Sequence, residues 1–165
     1  MRLQEIGFRL RAARLEQKLT QAQLAKTAGV SRTTLNQLES GLVLDLGVQR
    51  LRAILREVGL DLLLGQSNSE PAPDFIRMAA DSASVSYRTP LSEDELIRAI
   101  LTGKVPASRR PHFRTLLEEA SPALLQGLVQ TIGQWTKPGR IEKNLVKIAN
   151  EIKAKRKVEE WLKSA

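Results

Sequence analysis

Two helix starts stand only eleven residues apart in this chain, with a glycine between them. Thr20 is followed three residues later by Gln23, the reciprocal N-terminal capping pattern, and Ser31 is placed to cap again. Gly29-Val30 lies just before Ser31. The intervening space holds only about two turns of helix. Two short helices joined by a tight turn cannot bury their apolar faces alone, so the neighbouring segments must pack on them. Leu3, Ile6, Leu10, Ala13 and Leu15 recur at near-helical spacing and predict a first helix to about Gln17. The second helix turns Leu24 and Ala25 inward and stops at Gly29. The third buries Leu35 and Leu38 and ends at Glu39-Ser40-Gly41, where Gly41 suits a left-handed residue. A fourth begins near Gly47, uses Val48, Leu51, Ile54, Leu55 and Val58, and ends at Gly59. Leu60-Asp61-Leu62-Leu63-Leu64 follows, short and apolar, and reads as a strand.

The second and third helices together form a helix-turn-helix pattern. A DNA major groove admits one helix, and base edges are read by short hydrogen-bonding side chains on its exposed face. With Ser31 as N-cap, the outward positions are Arg32, Thr33, Asn36 and Gln37. Thr34 lies by the helix start, within reach of phosphate or sugar. Arginine can bridge guanine O6 and N7, and asparagine or glutamine can bridge adenine N6 and N7. Gln21 opens the second helix, where backbone N–H groups and a polar side chain can grip a phosphate. The predicted DNA-contacting set is therefore Gln21, Ser31, Arg32, Thr33, Thr34, Asn36 and Gln37.

Leu10-Arg11-Ala12-Ala13-Arg14, Leu19-Thr20-Gln21-Ala22-Gln23-Leu24-Ala25, Ala28-Gly29-Val30-Ser31 and Leu35-Asn36-Gln37-Leu38-Glu39-Ser40-Gly41 resemble the Xre family, the lambda-repressor/Cro-like helix-turn-helix proteins. The resemblance covers roughly residues 5–64. It implies that Gln21, Arg32, Thr33 and Asn36 face DNA, and that Glu39 is structural, paired with Arg11 or Arg14. The stretch from Gly47 to Leu64 resembles the HipB-like antitoxins in particular. That likeness implies a strand after the last helix pairing across a homodimer, an operator repressed by its own product, and a toxin held as protein partner. Read from the residues alone, the strand either covers its edge on a two-fold partner or packs within its own monomer.

Composition narrows the alternatives. There is no cysteine and a single histidine, His112, so disulfides, thiolate metal sites, iron–sulfur clusters and cysteine nucleophiles are excluded. No Gly-rich phosphate loop occurs, and Glu118-Glu119 and Glu159-Glu160 are adjacent pairs that diverge on a helix rather than forming an acid/base dyad. The expectation is a protein that is not an enzyme and needs no cofactor, with His112 at an exposed helix start. Met1-Arg2-Leu3-Gln4-Glu5 carries charge early and no apolar run reaches the length of a membrane span, so a cytoplasmic protein is expected, with no membrane partner. A formal charge of +8 points to a polyanionic partner, DNA first.

Charge and composition also divide the chain. Residues 1–64 carry a net +4 and form the expected DNA-binding domain. Residues 65–90 carry a net −1 and open on a Ser-, Pro- and Gly-rich run, read as a flexible linker within which Phe75–Ala80 could form a short helix. Residues 91–165 carry a net +5 and read as a helical domain. Its helices start at the capping box Ser92–Glu95, near Pro111, at Ser121-Pro122 and near Arg140, the last continuing to Lys163. The fold class expected is all-α: a lambda-repressor-like bundle with a short C-terminal strand, a linker, then a small helical bundle. From Lys137 to Ala165 nine Lys/Arg face four Asp/Glu. This last helix reads as a second phosphate-contacting surface, a docking site for an acidic partner, or a solvated face. Trp135 and Trp161 read as core residues or as anchors for a partner.

Overall fold

The structure, a computed structural model, describes residues 2–43, 45–63, 73–155 and 158. The chain divides into two units, Met1–Glu70 and Pro71–Ala165, each with its own apolar core. Every element formed by the described residues is helical.

The first unit holds α1 (Leu3–Glu16), α2 (Gln21–Thr27), α3 (Arg32–Glu39) and α4 (Val48–Arg56). Thr20 caps α2 through the reciprocal box with Gln23, and Ser31 caps α3 by accepting from the Thr34 N–H at 2.9 Å. Both α2 and α3 are too short to persist alone, so their stability comes from the shared core. Leu10, Leu24, Leu35, Leu38 and Ile54 are fully buried there. Each contributes about 1.5–3 kcal/mol of burial. Gly7 sets how closely α1 approaches α3. A Cβ added at Gly7 would stand 2.0 Å from the Leu38 carbonyl oxygen, inside any permitted contact.

Two expectations for this unit are corrected. Leu15 is not part of the inward row; it is 55% exposed, and Arg14 is buried instead. The row runs Ile6, Leu10, Arg14, at the four-residue spacing that stacks side chains on one helix face. The expected strand at Leu60–Leu64 is not formed. Residues 60–63 have no regular structure, and Leu64 lies outside the described residues. The Leu60 N–H closes the end of α4 on the Leu55 carbonyl, and the Asp61 carboxylate accepts from the Leu62 N–H and from Arg52. A strand needs a neighbour to receive its backbone groups, and none of the described residues supplies one. The apolar side chains are spent otherwise: Leu60 and Leu62 pack on the core from a loop, and Leu63 is left 88% exposed.

The second unit holds α5 (Phe75–Ser84), α6 (Glu93–Thr102), a 3-10 turn (Ala107–Arg109), α7 (Arg110–Glu119), α8 (Pro122–Gly133) and α9 (Arg140–Ile152). The stretch expected as linker contains a core element. Helix α5 packs on α6, α7 and α8 and buries Ile76, Ala79, Ala80 and Ala83. Its inward face is mostly alanine, which gives a weak hydropathy signal but permits close packing. Gly127 of α8 admits the Phe75 ring, which a Cβ there would meet at 2.4 Å.

Helix α9 is shorter than the expected run to Lys163, of which residues 156–157 and 159–163 lie outside the described residues. It ends at Ile152, and Lys153 takes a left-handed conformation with φ 54°. Arg114 donates to the Ile152 carbonyl at 2.6 Å, and Glu118 accepts from the Lys155 N–H at 2.8 Å. Helix α7 thus receives the free end of α9, and Val158 is buried in the core beyond it. Trp135 is buried, while Trp161 lies outside the described residues. His112, expected at an exposed position, is 4% exposed. It faces inward with Phe113, Leu116 and Leu117 on α7. Its Nε2 donates to the Thr89 carbonyl at 2.8 Å and its ring stacks on Tyr87.

Candidate nucleic-acid interface

The exposed face of α3 is built from the cap outward. Ser31 accepts from the Thr34 N–H and its hydroxyl meets the Thr34 hydroxyl at 2.8 Å, so these two side chains serve the helix start and each other. Leu35, Leu38 and Glu39 turn inward. Arg32, Thr33, Asn36 and Gln37 are all exposed. At about 100° per residue these four share an arc of about 140° opposite the core. Four of the seven predicted residues therefore stand on one face, Ser31 and Thr34 sit at its N-terminal end, and Gln21 approaches from α2.

A buried ion pair fixes that face. Arg14 of α1 meets Glu39 at the inner end of α3, Nε to Oε1 at 2.5 Å and Nη2 to Oε2 at 2.9 Å. Its Nη1 donates to the Leu19 carbonyl at 2.6 Å, just before the α2 cap. The hydrogen bond to Glu39 outweighs burial and holds the guanidinium above its ordinary pKa. Of the two arginines open on sequence grounds, Arg14 is the partner. The geometry is the bidentate fork that lysine cannot reproduce.

Gln21 joins this network. Its Nε2 donates to Glu39 Oε2 at 2.8 Å and lies 3.4 Å from Asn36 Oδ1. A carboxylate only accepts, so Glu39 fixes which end of the Gln21 amide points inward. The second hydrogen of that nitrogen then faces the Asn36 oxygen. Gln21 is half-buried, and its side chain ties α2 to α3 rather than standing free at the start of α2. Sequence reasoning missed this link. The spacing of Ile6, Leu10 and Arg14 signals only the Arg14–Glu39 half of the network, by placing an arginine on the inner face of α1.

The four exposed side chains offer a guanidinium, a hydroxyl and two amides on a helix narrow enough for a major groove. This geometry defines a helix-turn-helix domain. Residues 10–64, a third of the chain, match a family model described as helix-turn-helix. No curated protein and no solved structure matches the chain. Among the described residues no helix is long and apolar enough to cross a membrane.

Proposed function

We propose that this protein is a sequence-specific DNA-binding repressor of transcription. The observation that carries the reading is the single exposed arc of Arg32, Thr33, Asn36 and Gln37 on α3, held rigid by the Arg14–Glu39 pair. Arg32, Thr33 and Asn36 carry base preference in this reading, while Gln37 and the flanking Ser31 and Thr34 reach the groove edge and backbone. Helix-turn-helix proteins reach useful specificity by placing two recognition helices in successive major grooves. The functional species is accordingly a homodimer on a two-fold operator. The protein acts by binding rather than by catalysis in this reading; the single histidine, His112, is 4% exposed and faces the core of the second unit. The finer form of the reading is the antitoxin of a toxin–antitoxin pair that represses its own operon, with residues 91–165 available to hold the toxin. It rests on the resemblance of residues 47–64 to HipB-like antitoxins.

The test is a footprint on the DNA upstream of the protein's own gene at physiological salt. A variant with Arg32, Thr33 and Asn36 changed to alanine is run beside it. A symmetric protected site lost in the variant supports dimeric base reading. Protection that the variant keeps, or none, refutes it. The antitoxin form is checked by co-expressing the neighbouring gene's product. A stoichiometric complex that relieves that product's toxicity supports it, and no complex refutes it.

A further inference from the structure

We propose that α9 is a second nucleic-acid contact, gripping backbone phosphates through an exposed row of Arg140, Lys143 and Lys147. The buried stripe of α9 is Ile141, Leu145, Ile148, Ala149 and Ile152. Arg140, Lys143 and Lys147 stand on the opposite face, all exposed, and make no ion pair among the described residues. Of the two acids of the helix, Glu151 stands at the edge of this face, four residues past Lys147, and is engaged by another cation, Arg110, at 2.5 Å. Glu142 is half-buried to one side. Lys137 and Lys153 extend the positive charge beyond both ends of the helix, and both are exposed.

Like charges three and four residues apart repel and weaken a helix. A merely solvated face gains by interleaving acids, and between Arg140 and Lys147 none stands on this one. Among the described residues no ion pair compensates the repulsion, so it calls for an external anion. The row spans about 10 Å along the helix axis. DNA presents one phosphate per about 3.4 Å of axis on each strand, so three cations match a short run of phosphates. An acidic protein partner fits less well. Protein interfaces are anchored by aromatic and apolar side chains and are depleted in lysine. The exposed face here continues from Lys147 to Asn150 without an apolar residue. The inference takes its partner from the DNA-binding reading of the first unit. Carriage on one chain then raises the local phosphate concentration at α9 once the first unit is bound.

The test uses the full-length protein and a random-sequence DNA duplex, titrated by fluorescence anisotropy between about 50 and 200 mM salt. The variant is Arg140→Gln/Lys143→Gln/Lys147→Gln. The control is Arg77→Gln/Arg88→Gln/Arg98→Gln, three exposed arginines of the same unit with the same change in net charge. Each lost phosphate contact lowers the slope of log K against log salt by about 0.9, so the α9 variant is expected to lose about 2–3 in slope. The control is expected to keep the slope within roughly 0.5. All six side chains are exposed, and unchanged circular dichroism confirms folding; Lys143→Gln/Lys147→Gln serves if the triple variant misfolds. An unchanged slope in the α9 variant overturns the proposal. So does an equal loss in the control, which would mean general charge attraction. A protein captured by the wild type but not by the α9 variant, with DNA slopes unchanged, also overturns it in favour of an acidic partner. Failure of the base-reading proposal shows elsewhere, as lack of discrimination between the upstream site and random DNA.

Discussion

Removing Glu39 should cripple the first unit while sparing the second. In Glu39→Ala the Arg14 guanidinium keeps its place at the α1–α3 contact, with its side chain 8% exposed, but loses both carboxylate bonds. Leaving one partner of a buried pair uncompensated costs about 3–5 kcal/mol. The Gln21 amide loses its inner acceptor as well. At about 0.05–0.15 kcal/mol per residue, a unit of this size holds only about 3–9 kcal/mol in all. Half or more of its stability should go. Both tryptophans and the single tyrosine belong to the second unit, so their fluorescence is blind to the first. Far-UV circular dichroism sees both. Urea titration of Glu39→Ala should therefore move an early helical transition to lower urea by about 2–4 M, with the fluorescence transition unmoved. Arg14→Met/Glu39→Leu replaces the pair by apolar volume and should recover most of the loss. A shift in Glu39→Ala below about 1 kcal/mol, or a double variant as weak as the single, would refute the argument that an uncompensated charge is the cause.

Three further outcomes follow from the same geometry. Arg32→Ala should cost about 1–3 kcal/mol of binding and relax preference at one base pair, read by comparing affinities across a library of single-base operator changes. Gly7→Ala should destabilise the first unit by about 1–3 kcal/mol, because the strain against the Leu38 carbonyl exceeds the gain of about 1 kcal/mol in helix propensity; the early dichroism transition reports it. For Glu95, burial pushes the carboxyl up, but the Ser92 backbone N–H and the Arg109 guanidinium outweigh it and hold its pKa below the ordinary value. A depressed carboxylate stabilises above its unfolded pKa of about 4.3 and loses that contribution as pH falls through the folded value. The fluorescence-detected urea midpoint of the wild type should fall across this acid window, and Glu95→Gln, already lacking the charge, should show a smaller fall.

The legible parts of this fold were those written in capping and turn chemistry. Thr20, Gln23, Ser31, Ser92 and Glu95 make the contacts their spacing predicts. Gly29, Gly41 and Gly103 take the left-handed conformations that end helices. These are local devices, complete within a few residues. What misled were positions settled by distant partners. Leu15 looks apolar and is exposed, because the α1 row is completed by an arginine whose partner lies 25 residues on. Leu60–Leu64 is short and apolar like a strand, but a strand exists only where another backbone receives it. Helix α5 was hidden by alanines, whose contribution depends on how closely α8 approaches at Gly127. The end of α9 is set by Arg114 and Glu118 of α7, which no inspection of residues 140–163 could supply.

The same distinction governs the reading face. Which side chains of α3 point outward follows from its short local period, and sequence alone placed them. How each is oriented does not. Glu39 can only accept, so Gln21 presents its nitrogen to both Glu39 and Asn36. Asn36 then arrives at the groove with one lone pair of its oxygen already engaged and its amide nitrogen free. A bidentate contact to adenine needs both ends of that amide. It must share the oxygen with Gln21 or release it, whereas donation to an acceptor such as guanine O6 or N7 costs nothing. Gln21→Ala frees the oxygen without touching a base. If the orienting network sets preference, that change should raise the affinity for adenine relative to guanine at the Asn36 position, measured on paired duplexes differing at that base. An unaltered ratio would mean that Asn36 reads the groove independently of the core that holds its helix.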